Sequence, residues 1–234
     1  MPLPLAHFHA VAAPMLIDNI DTDQLSPSWS FKTGLSSFGY ALFGNQRYLD
    51  EMGLTPNPEF ILNQEPYRRA GILVAGSNFG CGSSRETAVW ALRDSGYRVV
   101  IGVSFNETFK RNCIVNGMAP LAVDRTVAEL LNQAILQDPE RGLAVDLEQN
   151  SIWIGESKDR EPKAGGPFSF TLDPFYRSLL VSGNTEDEML GTLQPGIDAR
   201  RSGLLEEWPW LRSVGLPARK AEPFAHLHQI GTAG

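Results

Sequence analysis

The sequence has little cysteine: Cys81 and Cys113 are the only two among its 234 residues. Two thiols are too few for a disulfide framework, and they cannot hold an iron–sulfur cluster by cysteine alone. We interpret Cys113, which lies within a helical pattern, as a small buried residue, and Cys81 as a thiol near the start of a helix. Any iron–sulfur cluster would therefore have to sit on another chain.

Long apolar runs and an excess of basic residues are also missing. No segment approaches the ~20 apolar residues of a membrane span, and no basic start followed by a continuous apolar run indicates a leader peptide. Lys and Arg number 20 against 27 Asp and Glu, a formal net charge of −7, which argues against binding nucleic acid through overall charge. We therefore expect a cytoplasmic protein, with neither a membrane nor a nucleic acid as its partner.

Apolar residues make up 42% of the chain, and their pattern alternates between strands and helices, which predicts an α/β fold. The predicted strands are 71–75, 98–103 and 121–123, and the predicted helices are 84–95, 105–116 and 126–137. Further along, we predict a hairpin of 143–147 and 151–154, a third extended piece at 167–172, and a helix that opens at Asp173–Pro174. We expect one domain over residues 1–200 and a tail over 201–234, with some packed helix at its start.

The segment Gly76–Glu86 is the most informative, because it leads directly from a predicted strand into a predicted helix. Gly80 and Gly82 permit a tight turn and the close approach of a ligand. The N–H groups at the start of a helix favour an anion, and the planar guanidinium of Arg85 suits a carboxylate. The segment lacks the usual glycine motifs for nucleotides and for serine hydrolases.

A purely structural interpretation of the same residues is a capping box, in which Ser83 caps the helix and Glu86 reaches back to it. That interpretation does not account for the second serine, Ser84, or for a cation in the first helical turn at Arg85, where the helix dipole disfavours it. We therefore favour a ligand site.

A second candidate is Asp18–Pro27, where three acids fall within six residues of a predicted loop. Asp21 and Asp23 alternate, so their side chains would face the same side of an extended chain. A divalent-metal site, a polar contact to a substrate hydroxyl or an imidazole, and an ordinary Asx-rich turn all remain open, and the turn is the commonest outcome. We give the terminal pairs His7/His9 and His226/His228 no weight as ligands, so no metal site is predicted in this chain.

Three segments occur together in one known family: Asn19–Gln24, Asn78–Glu86 and Phe105–Pro120. In this order they resemble the small subunit of 3-isopropylmalate dehydratase, the isolated swivelling domain of the aconitase superfamily. The resemblance covers about residues 8–200. It implies a swivelling β/β/α domain, similar to the C-terminal domain of aconitases.

The resemblance also implies an activity and a partner. The family works as a heterodimeric hydro-lyase that interconverts 2-isopropylmalate and 3-isopropylmalate in leucine biosynthesis by dehydration and rehydration. A large catalytic subunit holds the 4Fe–4S cluster with three cysteines, and the small subunit supplies the lid over the alkylmalate substrate. The chain alone is expected to have no activity.

The resemblance assigns roles to several residues of the two candidate segments. Ser83 is the base that takes the carbon-bound proton, Asp23 matches an acidic active-site residue, and the substrate-binding positions are Thr22, Gly82, Ser84 and Arg85. These residue types suit the chemistry, because removing a proton beside a carboxylate builds a dianion that a helix start and an arginine stabilise. The same positive field lowers the pKa of a serine, which would otherwise be a poor base.

Two features depart from the usual pattern. Thr87 stands where the family usually has histidine, and the loop from Ser26 to Gly44 is mostly apolar. We predict that this specificity loop, with Trp29, Phe31, Lys32 and Leu35, faces an alkyl branch of the substrate. The alternatives are a related hydro-lyase that acts on another alkylated malate, such as 2-methylmalate or a dimethylmalate, and a non-catalytic module that binds a carboxylate.

Overall fold

A computed structural model describes the chain over residues 3–29, 38–50, 53–156 and 166–212. The chain divides into two units, 1–189 and 190–234. The strands of the first unit are β1 (His7–Ala10), β2 (Ala12–Met15), β3 (Ile72–Ala75), β4 (Val99–Gly102), β5 (Ala119–Ala122), β6 (Leu143–Asp146), β7 (Ser151–Ile154) and β8 (Phe168–Ser169).

The helices follow the same order along the chain. They are α1 (Thr22–Leu25), α2 (Gly44–Arg47), α3 (Glu86–Asp94), α4 (Glu107–Val115), α5 (Arg125–Gln137), α6 (Pro174–Ser182) and α7 (Glu186–Glu207). Short 3-10 turns lie at Phe38–Ala41, Ile61–Asn63, Tyr67–Arg69 and Pro209–Arg212. The Asn106 side chain caps α4 and that of Asp173 caps α6, each accepting backbone N–H groups of the first turn.

Four strands form a parallel sheet in the order β2-β3-β4-β5. Helix α3 connects β3 to β4, and α4 connects β4 to β5. The side chains of β2, β3 and β4 are all buried, as expected of a parallel sheet covered on both faces, and this explains why their sequences are continuous apolar runs. The α/β fold expected from the sequence is confirmed.

The remaining strands form an antiparallel sheet in the order β1-β6-β7-β8. The predicted hairpin is confirmed as β6 and β7, with Leu143 opposite Ile154, and β8 joins β7 as the third extended piece. The strand β1 pairs with β6 across more than a hundred residues of sequence, with His7 opposite Asp146. The two sheets and their helices together form the swivelling β/β/α architecture that the resemblance implies.

The core of the first unit is continuous and includes Leu73, Phe79, Ile101 and Met118, none of which is exposed. Cys113 of α4 is fully buried in it, and this burial raises the pKa of the Cys113 thiol. The prediction of a small buried residue at Cys113 is confirmed.

None of the described helices is both long enough and apolar enough to cross a lipid bilayer.

Helix α7 runs through the domain boundary that the sequence predicted at residue 200. None of its residues is buried. The predicted division into 1–200 and 201–234 stays a prediction.

Candidate active site

The two segments that the sequence singled out lie side by side. Strands β2 and β3 are parallel neighbours, so the chain leaves both of them at the same edge of the sheet. The pairing continues past the strands, because Gly76 N–H donates to the Ile17 carbonyl at 3.1 Å and Gly80 N–H donates to the Ile20 carbonyl at 2.8 Å. A parallel bridge between Asp21 and Cys81 extends it further.

Asp18 links the loop after β2 to the loop after β3. Its carboxylate accepts a hydrogen bond from the Ser77 backbone N–H at 2.7 Å and another from the Arg125 guanidinium at 2.7 Å. The same Arg125 nitrogen donates to the Ser77 hydroxyl at 2.9 Å. The Ser77 N–H, and after it Arg125, lower the pKa of the Asp18 carboxyl, so the carboxylate stays charged in this contact.

Gly80 and Gly82 have backbone conformations that ordinary residues rarely adopt, with φ of +73° and +92°. A Cβ atom at Gly80 would also overlap the ring of Phe109. At Gly82 it would lie 3.3 Å from the hydroxyl oxygen of Thr22. The predicted tight turn is therefore found, and its backbone lies close to Phe109 and Thr22. The predicted approach of a ligand stays a prediction.

The hydroxyl oxygen of Thr22 accepts a hydrogen bond from the Ser83 backbone N–H at 3.1 Å. Thr22 is only 1% exposed, whereas Ser83 and Ser84 are exposed. The buried threonine therefore fixes the backbone of a serine whose own hydroxyl is open to a ligand.

The capping-box interpretation of Ser83 and Glu86 is wrong. Helix α3 begins at Glu86 with Arg85 as its N-cap, and no side chain caps it. The Glu86 carboxylate instead accepts a hydrogen bond from the Asn116 side chain at 3.0 Å. The Ala88 N–H donates to the Arg85 carbonyl at 3.3 Å. The N–H groups of Glu86 and Thr87, the first two residues of α3, can therefore serve an anion.

The segment Asp18–Pro27, for which the sequence left three interpretations open, contains a turn at Asp18–Asn19 followed by the short helix α1. Asp21 begins α1 with a capping box, accepting the Gln24 N–H at 2.7 Å while the Gln24 side chain accepts the Asp21 N–H at 2.9 Å. The two acids therefore do not share one side of an extended chain, because Asp21 is used as the cap. Asp23 is left to form an ion pair with the Arg85 guanidinium.

Thr22, Asp23, Gly82, Ser83 and Arg85 are thus brought together by direct contacts, and Ser84 lies between two of them. Such a site offers a hydroxyl, a helix start and a guanidinium to a carboxylate. Within the described ranges no side chain forms a hydrogen bond with the Ser83 hydroxyl, so the site holds no imidazole or other base set to activate it. It is suited to binding a carboxylate.

The specificity loop is described only in part. Trp29 donates its ring N–H to the Asn45 side chain at 2.8 Å, and its ring meets that of Tyr40 edge-on with the centroids 6.3 Å apart. It is therefore anchored on the start of α2. Phe31, Lys32 and Leu35 lie outside the described residues, so their predicted role stays a prediction.

The sequence did not single out Asn116 or Arg125 as individual site residues. Asn116 accepts hydrogen bonds from the Trp90 ring N–H at 3.1 Å and from Arg93 at 3.2 Å, besides donating to Glu86, so it joins the end of α4 to α3. The hydroxyl oxygen of Thr87, beside Glu86, is buried and has no hydrogen-bond partner in the described part of the chain. Asn116 lies within the segment Phe105–Pro120, which carries part of the family resemblance, and this was the only feature of the sequence that pointed to it.

The cysteines do not fit an iron–sulfur cluster. Cys113 is completely buried within the core, and Cys81, which is half-buried next to Gly82, has no second thiol with it. A cluster needs several thiolate ligands. No step of the chemistry can therefore be assigned to a cluster held by this chain.

Known proteins are similar to this chain over most of its length. Residues 5–126 match the family described as the aconitase C-terminal domain. The 3-isopropylmalate dehydratase small subunit of Rhodopseudomonas palustris strain TIE-1 is 42% identical over 205 residues, which cover 86% of this chain and 95% of the relative. The protein of the same name from Afipia carboxidovorans is 40% identical over 208 residues, which cover 87% and 96%.

A solved structure has the same fold. The crystal structure of 3-isopropylmalate dehydratase from Methanocaldococcus jannaschii superimposes with a TM-score of 0.51 at 22% sequence identity. The match covers 83% of this chain and 99% of that one. At this identity the match supports the two-sheet architecture alone.

Proposed function

We propose, from the fact that this chain belongs to the family of 3-isopropylmalate dehydratase small subunits, that its Gly82–Arg85 loop binds and deprotonates an alkylmalate. The family's enzyme is a hydro-lyase of leucine biosynthesis. The observation that carries the site assignment is the pairing of the two loops, which places an exposed Ser83 between a buried threonine and an exposed helix start.

Each residue of the site has a part in this proposal. Ser83, as its alkoxide, takes the carbon-bound proton and becomes the neutral hydroxyl. The carboxylate beside that carbon is bound by Arg85, the Ser84 hydroxyl and the Gly82 backbone. The positive charge of Arg85 and the N–H groups at the start of α3 stabilise the dianion that forms. Thr22 contributes through Ser83, because its buried side chain already accepts the Ser83 N–H.

Asp23 forms an ion pair with the Arg85 guanidinium. A substrate carboxylate that binds Arg85 would compete with Asp23 for the guanidinium. Both side chains are partly exposed, 58% for Asp23 and 34% for Arg85. The exchange of one carboxylate for another should therefore cost little free energy.

The partner is a large subunit, as the small-subunit family implies. We assign the 4Fe–4S cluster of this dehydratase to that subunit, because Cys81 and Cys113 cannot hold it. The exposed position of Ser83 and Ser84 supports this division, since a second chain must cover the site to exclude water from the reaction. The apolar composition of the specificity loop favours an alkyl branch on the substrate, and a cytoplasmic location stays a prediction.

The test is activity of the assembled complex. The chain would be co-expressed with a large subunit from the same organism, the cluster reconstituted without oxygen, and alkene absorbance followed with isopropylmalate, 2-methylmalate and citrate in parallel. We expect turnover of isopropylmalate and none by the chain alone. A preference for 2-methylmalate would move the function to a related pathway, and turnover of none would support a binding module.

The role of Ser83 has a matched control. Ser83→Ala should lower kcat by orders of magnitude, because the substitution removes the oxygen that the proposal makes the base. Ser202→Ala replaces an exposed serine of α7 and should leave kcat unchanged. Full activity of the Ser83→Ala complex would overturn the assignment of the base while leaving the family membership intact.

A further inference from the structure

We propose that His7, Asp146 and Glu148 form a zinc-binding site on the antiparallel sheet. One candidate ligand atom from each residue lies within 4.8 Å of the other two. His7 Nδ1 is 3.3 Å from an oxygen of Asp146, and His7 Nε2 is 3.5 Å from an oxygen of Glu148. The site shares no residue with the Gly82–Arg85 loop and does not depend on the function proposed for that loop.

The sheet itself brings these ligands together. His7 on β1 is directly opposite Asp146 on β6 in the strand register. Residues directly opposite each other in an antiparallel pair project their side chains on the same face, and Glu148 follows two residues after Asp146. Two of the three ligands are thus fixed by backbone pairing, and sequence analysis could not connect them because 138 residues separate them.

The donor set is the kind that zinc prefers. Imidazole nitrogen and carboxylate oxygens bind zinc at about 2.0–2.2 Å, which places neighbouring ligand atoms roughly 3.3–3.5 Å apart in a tetrahedral site. The Nδ1 distance to Asp146 already matches this spacing. Glu148 lies on the other side of the ring, but its side chain is 52% exposed, so it can turn towards the same ion at little cost.

Asp146 shows the features of an anchoring ligand. Its side chain is only 7% exposed although it lies on an outer sheet face. One of its oxygens accepts the Gln149 N–H at 2.8 Å, which orients the carboxylate as outer hydrogen bonds do around metal ligands. Zinc would place a positive charge beside this buried carboxylate.

The site has room for a further ligand. A cavity of about 270 Å³ opens next to it, lined by His7, His9, Asp146 and Trp153 among others. A water molecule in this cavity would complete four-coordinate zinc. Such a site would join the edge strand β1 to β6 and stabilise the N-terminal part of the sheet.

The experiment uses the full untagged chain after removal of metal with a chelator. To exclude the other His-x-His pair, the parent protein carries His226→Ala and His228→Ala. Zinc sulfate is titrated in competition with a zinc-binding dye, and thermal unfolding is followed with and without zinc. The parent is compared with the variants His7→Ala and Glu148→Gln. Both replaced side chains are exposed, so neither substitution should unfold the protein.

The expected result is binding of a single zinc ion by the parent, with a rise in Tm. Each variant should weaken binding by about ten-fold or more and lose the rise in Tm. Zinc binding that His7→Ala and Glu148→Gln leave unchanged would overturn the proposal, and so would a parent that binds no zinc. Either outcome would identify the three side chains as an ion-pair cluster only.

Discussion

Thr22 and Ser83, which are 61 residues apart in sequence, are joined by a hydrogen bond in which the threonine hydroxyl accepts the serine backbone N–H at 3.1 Å. The bond lies where the loops after β2 and β3 meet. Because it acts on the backbone, it sets the position of the Ser83 side chain without occupying the hydroxyl.

Replacement of Thr22 tests whether this bond serves the reaction. Thr22→Val keeps the shape of the buried side chain but removes the acceptor, and we expect a loss of about 1 kcal/mol of unfolding free energy. The kcat of the assembled enzyme should fall by about ten- to hundred-fold, since a small displacement of Ser83 spoils the reacting geometry. Thr22→Ser retains the hydroxyl and should restore most of the kcat in the same assay.

Replacement of Arg85 by lysine separates carboxylate binding from stability. Lysine keeps the charge but cannot donate two parallel hydrogen bonds to a carboxylate, so the KM for isopropylmalate should rise about ten-fold or more. The unfolding free energy should change by less than about 1 kcal/mol, because the ion pair with Asp23 is partly exposed. Arg69→Lys, which alters the exposed ion pair with Glu140, should leave KM unchanged. An unchanged KM in Arg85→Lys would remove Arg85 from the binding site.

Gly80 and Gly96 form a matched pair for the effect of an added methyl group. Both have positive φ, +73° and +97°, but a Cβ atom at Gly80 would overlap the Phe109 ring, whereas nothing lies within 4 Å of one at Gly96. Gly96→Ala should cost roughly 1–2 kcal/mol of backbone strain. Gly80→Ala should cost about 1–3 kcal/mol more, because the core must shift. Urea unfolding measures both values, and equal losses would contradict the close approach to Phe109.

The lowered pKa of Asp18 implies that the stability of the protein depends on pH. The Ser77 N–H and Arg125 lower the pKa of the Asp18 carboxyl below the ordinary value of 3.8. The stabilisation is therefore complete well above that value and is lost as pH falls through the lower pKa of the folded state. Asp18→Asn should be less stable than the parent at about pH 7, and the difference should shrink below the ordinary pKa of aspartate. Urea unfolding at both pH values checks this, and a difference that does not change with pH would exclude the charge as its source.

Strands β3, β4 and β5 of the parallel sheet and helices α3, α4 and α5 could be predicted because their signals are local, whereas β2 was not predicted. The apolar runs at Ile72–Ala75 and Val99–Gly102 are long enough to indicate buried strands, and the turn residues between them are distinct. The Gly82–Arg85 loop could be singled out for the same reason, since its glycines, serines and arginine stand next to each other.

Contacts between distant segments could not be predicted from the same patterns. The expected cap at Ser83 failed because a side chain 61 residues away accepts its N–H. The ion pair of Asp23 with Arg85 and the pairing of β1 with β6 depend on which strands become neighbours, and hydrophobic periodicity carries no information about partners. The local sequence indicated which residues have side chains suited to binding or catalysis. The order of the strands in the sheets determines which of these residues lie in contact.

The segment from Ser26 to Gly71 connects the end of α1 to the start of β3. Strand β3 is the neighbour of β2, which precedes α1. Its end leads into the parallel sheet and its start follows α1, whereas Thr22, Ser83 and Arg85 lie outside it. Leu42, Phe43 and Leu62 of this segment are buried in the core, so only its exposed part can vary freely. Under the proposed roles, exchanging that exposed part between homologues should change the selectivity among malates while the Gly82–Arg85 loop keeps the chemical step.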